Sequence, residues 1–221
     1  MPELPEVETI VRTYRHRLVE RRIVHFASTW PRNTRPSAAL VRRRIVGRRI
    51  ERLWRRAKYI VFDLDDGSHL LVHLRMSGRM EWATVDAAGT ARRFDPPGPK
   101  GQEPPRHARA WWDLDDGHRL WFCDARKFGR IVHTRDFVAA TAGLGAEPLD
   151  DAFTPEALQA LLLARRRRLK PLLLDQAVVA GLGNIYVDEA LHGAGLHPLM
   201  PSDRLRDGEI DRLHAAIRDD A

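Results

Sequence analysis

The four-residue string LDDG occurs twice, at 64–67 and 114–117, each time between runs rich in Val, Ile and aromatic residues. Asp-Gly is a favoured pair in tight turns, so each string predicts an antiparallel hairpin. The strand-like runs are IVHFAST, RRIERLW, KYIVFDL, HLLVHL, ARAWWDL and HRLWFCD. Several short strands with such turns indicate an antiparallel β-sandwich or barrel.

Helical spacing appears on either side of these strands. Near the N-terminus, Val7, Ile10, Val11, Tyr14 and Leu18 lie on one helical face, and Pro5 suits the first turn of that helix. Beyond about residue 145 the signals are helical only, at 154–168, about 170–177, about 184–193 and about 207–218. Thr154 is the expected N-cap of the first of these, with Pro155 as its first residue.

The sequence therefore predicts an α+β fold with two domains. Residues 1–148 form an N-terminal helix and an antiparallel β-sandwich, and residues 149–221 form an all-helical domain.

The charge balance favours a polyanionic partner. The 221 residues include 37 Lys and Arg against 30 Asp and Glu, a net charge of +7, and most of the excess lies before residue 150. Among polyanionic partners, such a charge balance makes nucleic acid the first candidate. No apolar run approaches the ~20 residues of a membrane span. A single cysteine, Cys123, excludes an intrachain disulfide and a multi-cysteine metal site, and it fits a reducing cytoplasm.

The chain begins MPELPEVE, a proline-rich acidic tip on a basic protein. Removal of Met1 exposes the secondary amine of Pro2, which can attack a sugar aldehyde carbon and form an iminium. Glu3, beside it, can transfer protons. Two other interpretations stay open on these residues alone. The prolines can simply stiffen the entry to a helix, or Pro2 can act as a general base on small acids.

Two segments of the helical region have the composition of phosphate contacts. In GLGN (181–184) the glycines allow backbone N–H groups to approach a phosphate, and Asn184 can cap the following helix or donate to that phosphate. The alternative is a tight interhelical turn. RRRRLK (165–170) either ends a helix in solvent or faces phosphates.

Three short strings complete the candidate set. RRAKYI places Lys58 on a strand, HLRMSG places Met76 in a turn, and DARKFG places Arg126 and Phe128 in a loop. Taken alone, they allow a solvated lysine and ordinary core packing of Met76 and Phe128. Polar, glycine-bearing surroundings weaken the core interpretation of Met76 and Phe128.

PELPEVE, these strings and DQAVVAGLGNIYVDEALHGAGLHP resemble formamidopyrimidine-DNA glycosylases. The resemblance extends from residue 2 to about 218 and is closest to the oxidised-purine branch of the formamidopyrimidine-DNA glycosylase and endonuclease VIII family. It identifies the helical domain as a helix–two-turn–helix domain. It implies a bifunctional enzyme that excises 8-oxoguanine and formamidopyrimidines and then cleaves the strand at the abasic site.

The resemblance also implies a role for individual residues. The catalytic set is Pro2, Glu3, Glu6 and Lys58. The DNA-binding set is His107, Arg126, Arg165, Lys170 and Asn184. The wedge that replaces the flipped nucleotide is Met76, Arg126 and Phe128. The partner is damaged double-stranded DNA, bound by a monomer near the nucleoid in a bacterial cytoplasm.

One family element is missing from the sequence. The family has a four-cysteine zinc finger after the helical domain, and this chain ends at AAIRDDA. We therefore expect a piece of a longer protein, with no metal site or cofactor in residues 1–221 and a zinc ion only if a C-terminal extension exists. A catalytically silent DNA-binding relative, or an endonuclease VIII-like enzyme for oxidised pyrimidines, remains the alternative.

Overall fold

The computed structural model describes residues 1–84 and 104–219, except for the side chain of residue 84. The chain divides into two compact units. The first contains Met1–Pro2, Val7–Arg55 and Tyr59–Phe137, and the second contains Glu3–Glu6, Arg56–Lys58 and the chain from Val138 onward. The N-terminal tip thus belongs largely to the second unit, although it is distant from the rest of that unit in sequence.

The described helices and strands follow in chain order. The helices are α1 (Leu4–Leu18), α2 (Ala38–Ile45), α3 (Phe137–Thr141), α4 (Pro155–Leu163), α5 (Leu169–Leu173), α6 (Asn184–Gly193) and α7 (Asp207–Asp219). The strands are β1 (Ile23–Ser28), β2 (Thr34–Arg35), β3 (Ile50–Arg56), β4 (Tyr59–Leu64), β5 (His69–His73), β6 (Gly78–Thr84), β7 (Ala108–Leu114), β8 (His118–Asp124) and β9 (Arg130–Thr134).

Two sheets pack face to face in the first unit, which confirms the predicted sandwich. One has the order β1-β7-β8-β6 and the other β2-β9-β5-β4-β3. Alternate residues of the strands point into one core, such as Ile60 and Phe62 on β4 and Leu120 and Phe122 on β8. One strand pair departs from the expectation: β2 runs parallel to β9, so the second sheet is not purely antiparallel.

Both LDDG strings form the predicted hairpins, between β4 and β5 and between β7 and β8. Gly67 and Gly117 have φ values of +73° and +83°, a left-handed conformation that favours glycine. In each turn the second aspartate accepts a hydrogen bond from the backbone N–H two residues on, at 3.1 Å. Local turn chemistry therefore determines both connections.

Helix α2 and strands β2, β6 and β9 of the first unit were missed from sequence. Helix α2 is short and its exposed face carries consecutive arginines, which hides the apolar pair Val41 and Ile45 that it buries. Strands β6 and β9 contain Arg, Glu and His, so their composition is not typical of a strand. Strand β6 pairs with β8, and strand β9 pairs with β5. This pairing, rather than intrinsic β propensity, determines that the two segments are strands.

The second unit contains the predicted helices, with two corrected boundaries. Thr154 caps α4 as expected, through its side chain and Ala157 N–H. The helix predicted at 154–168 ends at Leu163, and the one predicted at about 170–177 covers only Leu169–Leu173. Arg166 has a φ of +30°, and Arg168 pairs with Pro201 in a β-bridge, so the arginine run leaves the helix to pair with a distant segment. Within the described residues, none of the helices is both long and apolar enough to cross a membrane.

Candidate functional site

Glu3 is almost completely buried, with 3% of its surface exposed, and its carboxylate lies at the N-terminus of α6. One oxygen accepts from Ile185 N–H at 3.3 Å and the other from Tyr186 N–H at 3.2 Å. These are amides of the first helical turn, which have no partner inside the helix. Glu3 therefore caps a helix that lies some 180 residues away in sequence, and the helix dipole favours its negative charge.

The two glycines of GLGN make room for this arrangement. A Cβ at position 183 would lie 2.2 Å from the carboxyl carbon of Glu3, and a Cβ at position 181 would lie 2.7 Å from a methyl of Leu4. Gly181 also has a φ of +101°. The sequence analysis assigned these glycines to the approach of a phosphate, whereas in the structure their immediate neighbours are residues of the tip. Asn184 does not cap α6, because Gly183 holds the N-cap position and Glu3 supplies the side-chain acceptor.

The tip is fixed by its backbone as well. Glu6 accepts from Glu3 N–H at 2.9 Å, which is half of a capping box at the start of α1. Leu4 N–H donates to the Gly181 carbonyl at 3.0 Å. The other Glu6 oxygen accepts from the Tyr186 hydroxyl at 3.3 Å. Residues 3, 4 and 6 are thus held from several directions, and the half-exposed Pro2 directly precedes them.

Lys58 lies in a two-residue turn between β3 and β4, not on a strand as predicted. Ala57 has a φ of +52°, which ends the extended conformation. Lys58 is 5% exposed. Glu147, which the sequence analysis did not select, holds this turn: one of its oxygens accepts from Ala57 N–H at 2.8 Å and from the Arg56 guanidinium at 2.9 Å.

The predicted wedge residues lie in the turn and loop expected for them. Met76 is 45% exposed and Phe128 is 52% exposed, although both are large and apolar. The Arg126 guanidinium lies 5.0 Å from the centre of the Phe128 ring. Single exposed apolar side chains are common, but apolar side chains that share one concave surface can mark a ligand-binding site. Core packing, the alternative considered for Met76 and Phe128, is therefore wrong.

Asp124 joins the wedge turn to the wedge loop. This carboxylate is completely buried. It accepts from the Ser77 hydroxyl at 2.5 Å, from Arg126 N–H at 3.2 Å and from Gly129 N–H at 2.7 Å. The sequence analysis missed Asp124, although it begins the string DARKFG. An acidic residue followed at short spacing by Gly is the signal that could have identified it.

The wedge residues Met76 and Phe128 line one open cavity of about 540 Å³ in the first unit. Its other lining residues are Met1, Trp30, Arg32, Asn33, Arg75, Lys127, Gly129 and Arg130. Met1 brings the start of the chain to the same cavity as the wedge. Four of the lining residues are cationic and none is acidic, and Lys127 lies 4.4 Å from the centre of the Trp30 ring. The surface combines apolar and aromatic side chains with positive charge.

His107 is connected to this region through its backbone. Its φ is +68°, and its carbonyl accepts from Asp124 N–H at 2.9 Å. The imidazole is half-buried. The residues of the first unit that were predicted to contact DNA, His107 and Arg126, are therefore both hydrogen-bonded to Asp124 through their main chains.

In the second unit, Lys170 and Asn184 meet at Asp188. The Lys170 ammonium lies 2.8 Å from the Asp188 carboxylate, and the Asn184 amide is 3.5 Å from it. Arg165 lies apart, in the turn after α4, where it donates to the Leu161 carbonyl at 3.4 Å. The rest of the arginine run includes ion pairs from Arg166 to Asp203 and from Arg167 to Asp175.

The residues present do not fit a zinc finger. Cys123 is the chain's single cysteine, and it is buried. Burial raises the pKa of its thiol to about 12, and the nearby Glu81 carboxylate adds to this shift, so it offers no thiolate at neutral pH. Within residues 1–84 and 104–219, no group of three or more His, Cys, Asp and Glu side chains is placed to hold a metal ion.

Comparison with known proteins gives the same family over nearly the whole chain. Residues 1–131 match the formamidopyrimidine-DNA glycosylase N-terminal domain, and residues 144–219 match the formamidopyrimidine-DNA glycosylase H2TH domain. The formamidopyrimidine-DNA glycosylase of Chloroflexus aggregans is 46% identical over 221 residues, which cover 99% of this chain and 75% of that protein. That of Pelotomaculum thermopropionicum is 40% identical, with 99% and 76% covered.

Solved structures agree. The Lactococcus lactis enzyme, non-covalently bound to DNA with an abasic site, has a TM-score of 0.83 and 32% identity, covering 98% of this chain and 79% of that chain. A MutM bound to DNA with carbocyclic 8-oxoguanine has a TM-score of 0.83 and 33% identity, covering 99% and 77%. On sequence and fold together, the chain belongs to the formamidopyrimidine-DNA glycosylase family.

Proposed function

We propose that this protein binds damaged double-stranded DNA, excises oxidised purines through an N-terminal proline nucleophile, and then cleaves the strand at the abasic site. Its structural neighbours include complexes with DNA containing an abasic site, carbocyclic 8-oxoguanine or formamidopyrimidine. The observation that carries the proposal is the anchoring of the tip. Glu3 is held by hydrogen bonds to both its amide and its carboxylate, and Leu4 by a hydrogen bond from its amide. A disordered extension would not make these contacts.

The chemistry begins with removal of Met1, which is 42% exposed and therefore accessible to an aminopeptidase. The lone pair of the Pro2 nitrogen attacks C1′ of the lesion's deoxyribose. The glycosidic bond breaks and the base departs with a proton. The C1′–O4′ bond of the sugar ring then opens, O4′ takes a proton, and an iminium forms between Pro2 and C1′. Loss of a proton from C2′ then expels the 3′ phosphate, which cleaves the strand. Water finally hydrolyses the iminium and releases the amine.

Glu3, Glu6 and Lys58 have distinct tasks in this proposal. Glu3 transfers protons to and from the sugar and base, because it is the residue directly after Pro2 in the chain. Glu6 holds the Glu3 amide and so orients the nucleophile. Lys58, in a turn fixed by Glu147, supplies positive charge to the lesion's phosphate and sugar.

Recognition is assigned to the remaining residues. Met76 and Phe128 fill the space left by the extruded nucleotide, and Arg126 donates hydrogen bonds to the base left without a partner. The phosphate backbone is contacted by Asn184, Lys170, Arg165 and His107.

Phosphate contacts release counterions, so we expect the affinity for DNA to fall steeply with salt concentration. The double variant Arg165→Ala/Lys170→Ala should flatten that dependence, and an unchanged slope would place these residues outside the interface.

We also assign this activity to a monomer in the bacterial cytoplasm, with the catalytic sandwich in residues 1–148 and the helical DNA-binding domain in 149–221.

The decisive experiment is borohydride trapping with an 8-oxoguanine duplex. The wild-type protein should give a covalent adduct, mapped to residue 2 by peptide mass spectrometry. Pro2→Gly should reduce trapping strongly, whereas Pro5→Ala, a change at the other proline of the tip, should retain it. Equal trapping by Pro2→Gly and wild type would contradict the assignment of the nucleophile.

A panel of lesions tests the substrate class. Excision of 8-oxoguanine and formamidopyrimidines should exceed that of oxidised pyrimidines. The opposite ranking would favour an endonuclease VIII-like enzyme. Tight lesion binding with neither excision nor trapping would identify a silent DNA-binding relative.

A further inference from the structure

A second basic cavity lies at the other end of the five-stranded sheet from the wedge. In the pairing of β5 with β9, His73 is opposite Arg130 and His69 is opposite Thr134. Arg130 lines the wedge cavity, whereas Thr134 lines this second one. Four residues of strand span about 13 Å at roughly 3.3 Å per residue, so the two cavities are separate.

The second cavity, of about 790 Å³, is dominated by arginine. Its lining residues are Arg35, Pro36, Leu40, Arg43, Arg44, Arg48, Asp66, His133, Thr134, Arg135 and Asp136. The five arginines come from four parts of the first unit: β2, α2, the segment before β3, and the segment after β9. Their convergence on one cavity cannot be explained by a charged run on a single solvated face.

The carboxylates of this cavity neutralise only part of that charge. Asp66 pairs with Arg135 at 3.0 Å and lies 3.6 Å from Arg48. Among the described residues, Arg35, Arg43 and Arg44 have no carboxylate partner within ion-pair distance. Arg35 instead donates to the carbonyls of Arg32 and Thr34. The five arginines outnumber the two aspartates of the lining, Asp66 and Asp136, and such an excess of positive charge in a concave site attracts anions.

Arg44 makes a contact that also leaves a buried donor unpaired. Its guanidinium is 3.3 Å from Nδ1 of His133, a residue that is only 5% exposed. A guanidinium has no acceptor, so Nδ1 accepts and the proton of the neutral ring lies on Nε2. That Nε2 atom is buried and has no hydrogen-bond partner in the described part of the chain. Burial and the positive charge of Arg44 both lower the pKa of His133, which keeps the ring neutral.

The lining indicates which anion fits. Guanidinium forks match the oxygens of phosphate, and several in one cavity suit more than one phosphate group. The lining has no Trp, Tyr or Phe on which a nucleobase could stack. We infer that this arginine cavity is a second anion site, which binds adjacent phosphate groups from either a free polyphosphate or the backbone of a nucleic-acid strand. This site contacts phosphate groups rather than bases, and anion binding there does not require lesion excision.

The test uses two exposed arginines of the cavity, Arg43 and Arg135. The double variant Arg43→Ala/Arg135→Ala is compared with Arg21→Ala/Arg52→Ala, which removes the same charge from exposed positions outside the cavity. Binding of inorganic tripolyphosphate is measured by calorimetry at low salt. The cavity variant should bind at least tenfold more weakly than wild type, and the control should change less than twofold.

A second arm identifies the source of the phosphates. Binding of an undamaged, fluorescently labelled 12-nucleotide single strand is followed by anisotropy with the same three proteins. Weaker binding by the cavity variant alone, in both arms, assigns the site to a nucleic-acid backbone, whereas an effect on tripolyphosphate alone assigns it to a free polyphosphate. Equal loss in both variants, no loss in either, or no tripolyphosphate binding by wild type overturns the inference. Neither binding measurement uses damaged DNA, so the result does not depend on the proposed function.

Discussion

Two buried carboxylates organise the candidate site in different ways. Glu3 caps α6 through two backbone amides, and a glycine at position 183 is required for it to approach. Asp124 binds a hydroxyl and two amides, and so holds a turn and a loop whose side chains remain exposed. The first fixes the tip, which carries the proposed nucleophile, on a helix. The second supports a turn and a loop whose exposed side chains are proposed to contact DNA.

The difference shows how each part should respond to mutation. Around Glu3, the space is filled and the carboxylate is held by hydrogen bonds, so a small steric change should displace a group that is proposed to take part in the reaction. Around Asp124, the wedge side chains themselves are exposed, so changes should act through loop order and recognition. Catalysis and recognition should therefore be separable by mutation.

The largest expected effect is that of Gly183→Ala. The new Cβ would lie 2.2 Å from the Glu3 carboxyl carbon, so the carboxylate must move. A displacement of about 1 Å in a catalytic group can reduce the rate about 100-fold, and we expect a loss of that order in single-turnover excision. Gly193→Ala, in the same helix, is the control, because its Cβ would meet Ala216 at an ordinary 3.6 Å. Wild-type excision by Gly183→Ala would show that the Glu3 position is not needed.

Asp124→Asn should have the next largest effect. The amide replaces an acceptor-only carboxylate with a group that cannot accept from all three donors, Ser77, Arg126 and Gly129. An unsatisfied buried group costs about 1–3 kcal/mol, which should appear as reduced stability in urea unfolding. Asp115→Asn, at an exposed turn position, should stay within about 0.5 kcal/mol. If both variants unfold alike, Asp124 is not the support of the wedge.

Sequence alone predicted the local turns of this region but not the contacts that hold the tip and the wedge loop. The LDDG hairpins and the turn around Met76 follow from residue types that are adjacent in the chain. Glu3 was selected for proton transfer, yet its capping of α6 depends on residues some 180 positions away. Glu147 was missed for the same reason, since its partners Arg56 and Ala57 lie about 90 residues away in sequence. Asp124 was missed although only Ser77 among its three partners is distant in sequence. Local chemistry fixes turns, whereas buried carboxylates are defined by their tertiary partners.

Arg126→Ala tests recognition without disturbing the tip. Its guanidinium stacks near Phe128 and makes no ion pair with any described residue, so it is available to a base. Removal should cost about 1–3 kcal/mol of discrimination between opposite bases, a change seen in excision rates for duplexes that differ only at that base. Lys127→Ala is the matched neighbour and should reduce affinity equally for all duplexes. Equal discrimination by Arg126→Ala and wild type would remove Arg126 from base reading.

The smallest expected effect concerns the helix that carries the tip. Burial acts to raise the pKa of Glu8, but hydrogen bonds and charges from Arg12 and Arg55 outweigh it and hold this pKa below its ordinary value of 4.5. The unfolded chain therefore binds a proton at higher pH than the folded one. The stability from this pair is complete above about pH 4.5 and is lost as pH falls through the lower, folded value.

Glu8→Gln should flatten the acid side of the stability curve, by at most about 1 kcal/mol in unfolding free energy. Glu51→Gln removes a more exposed pair with Arg49 and should leave the curve unchanged. If Glu8→Gln leaves the acid limb unchanged while excision falls, Glu8 positions the tip without stabilising α1, and it belongs with the residues whose mutation affects catalysis.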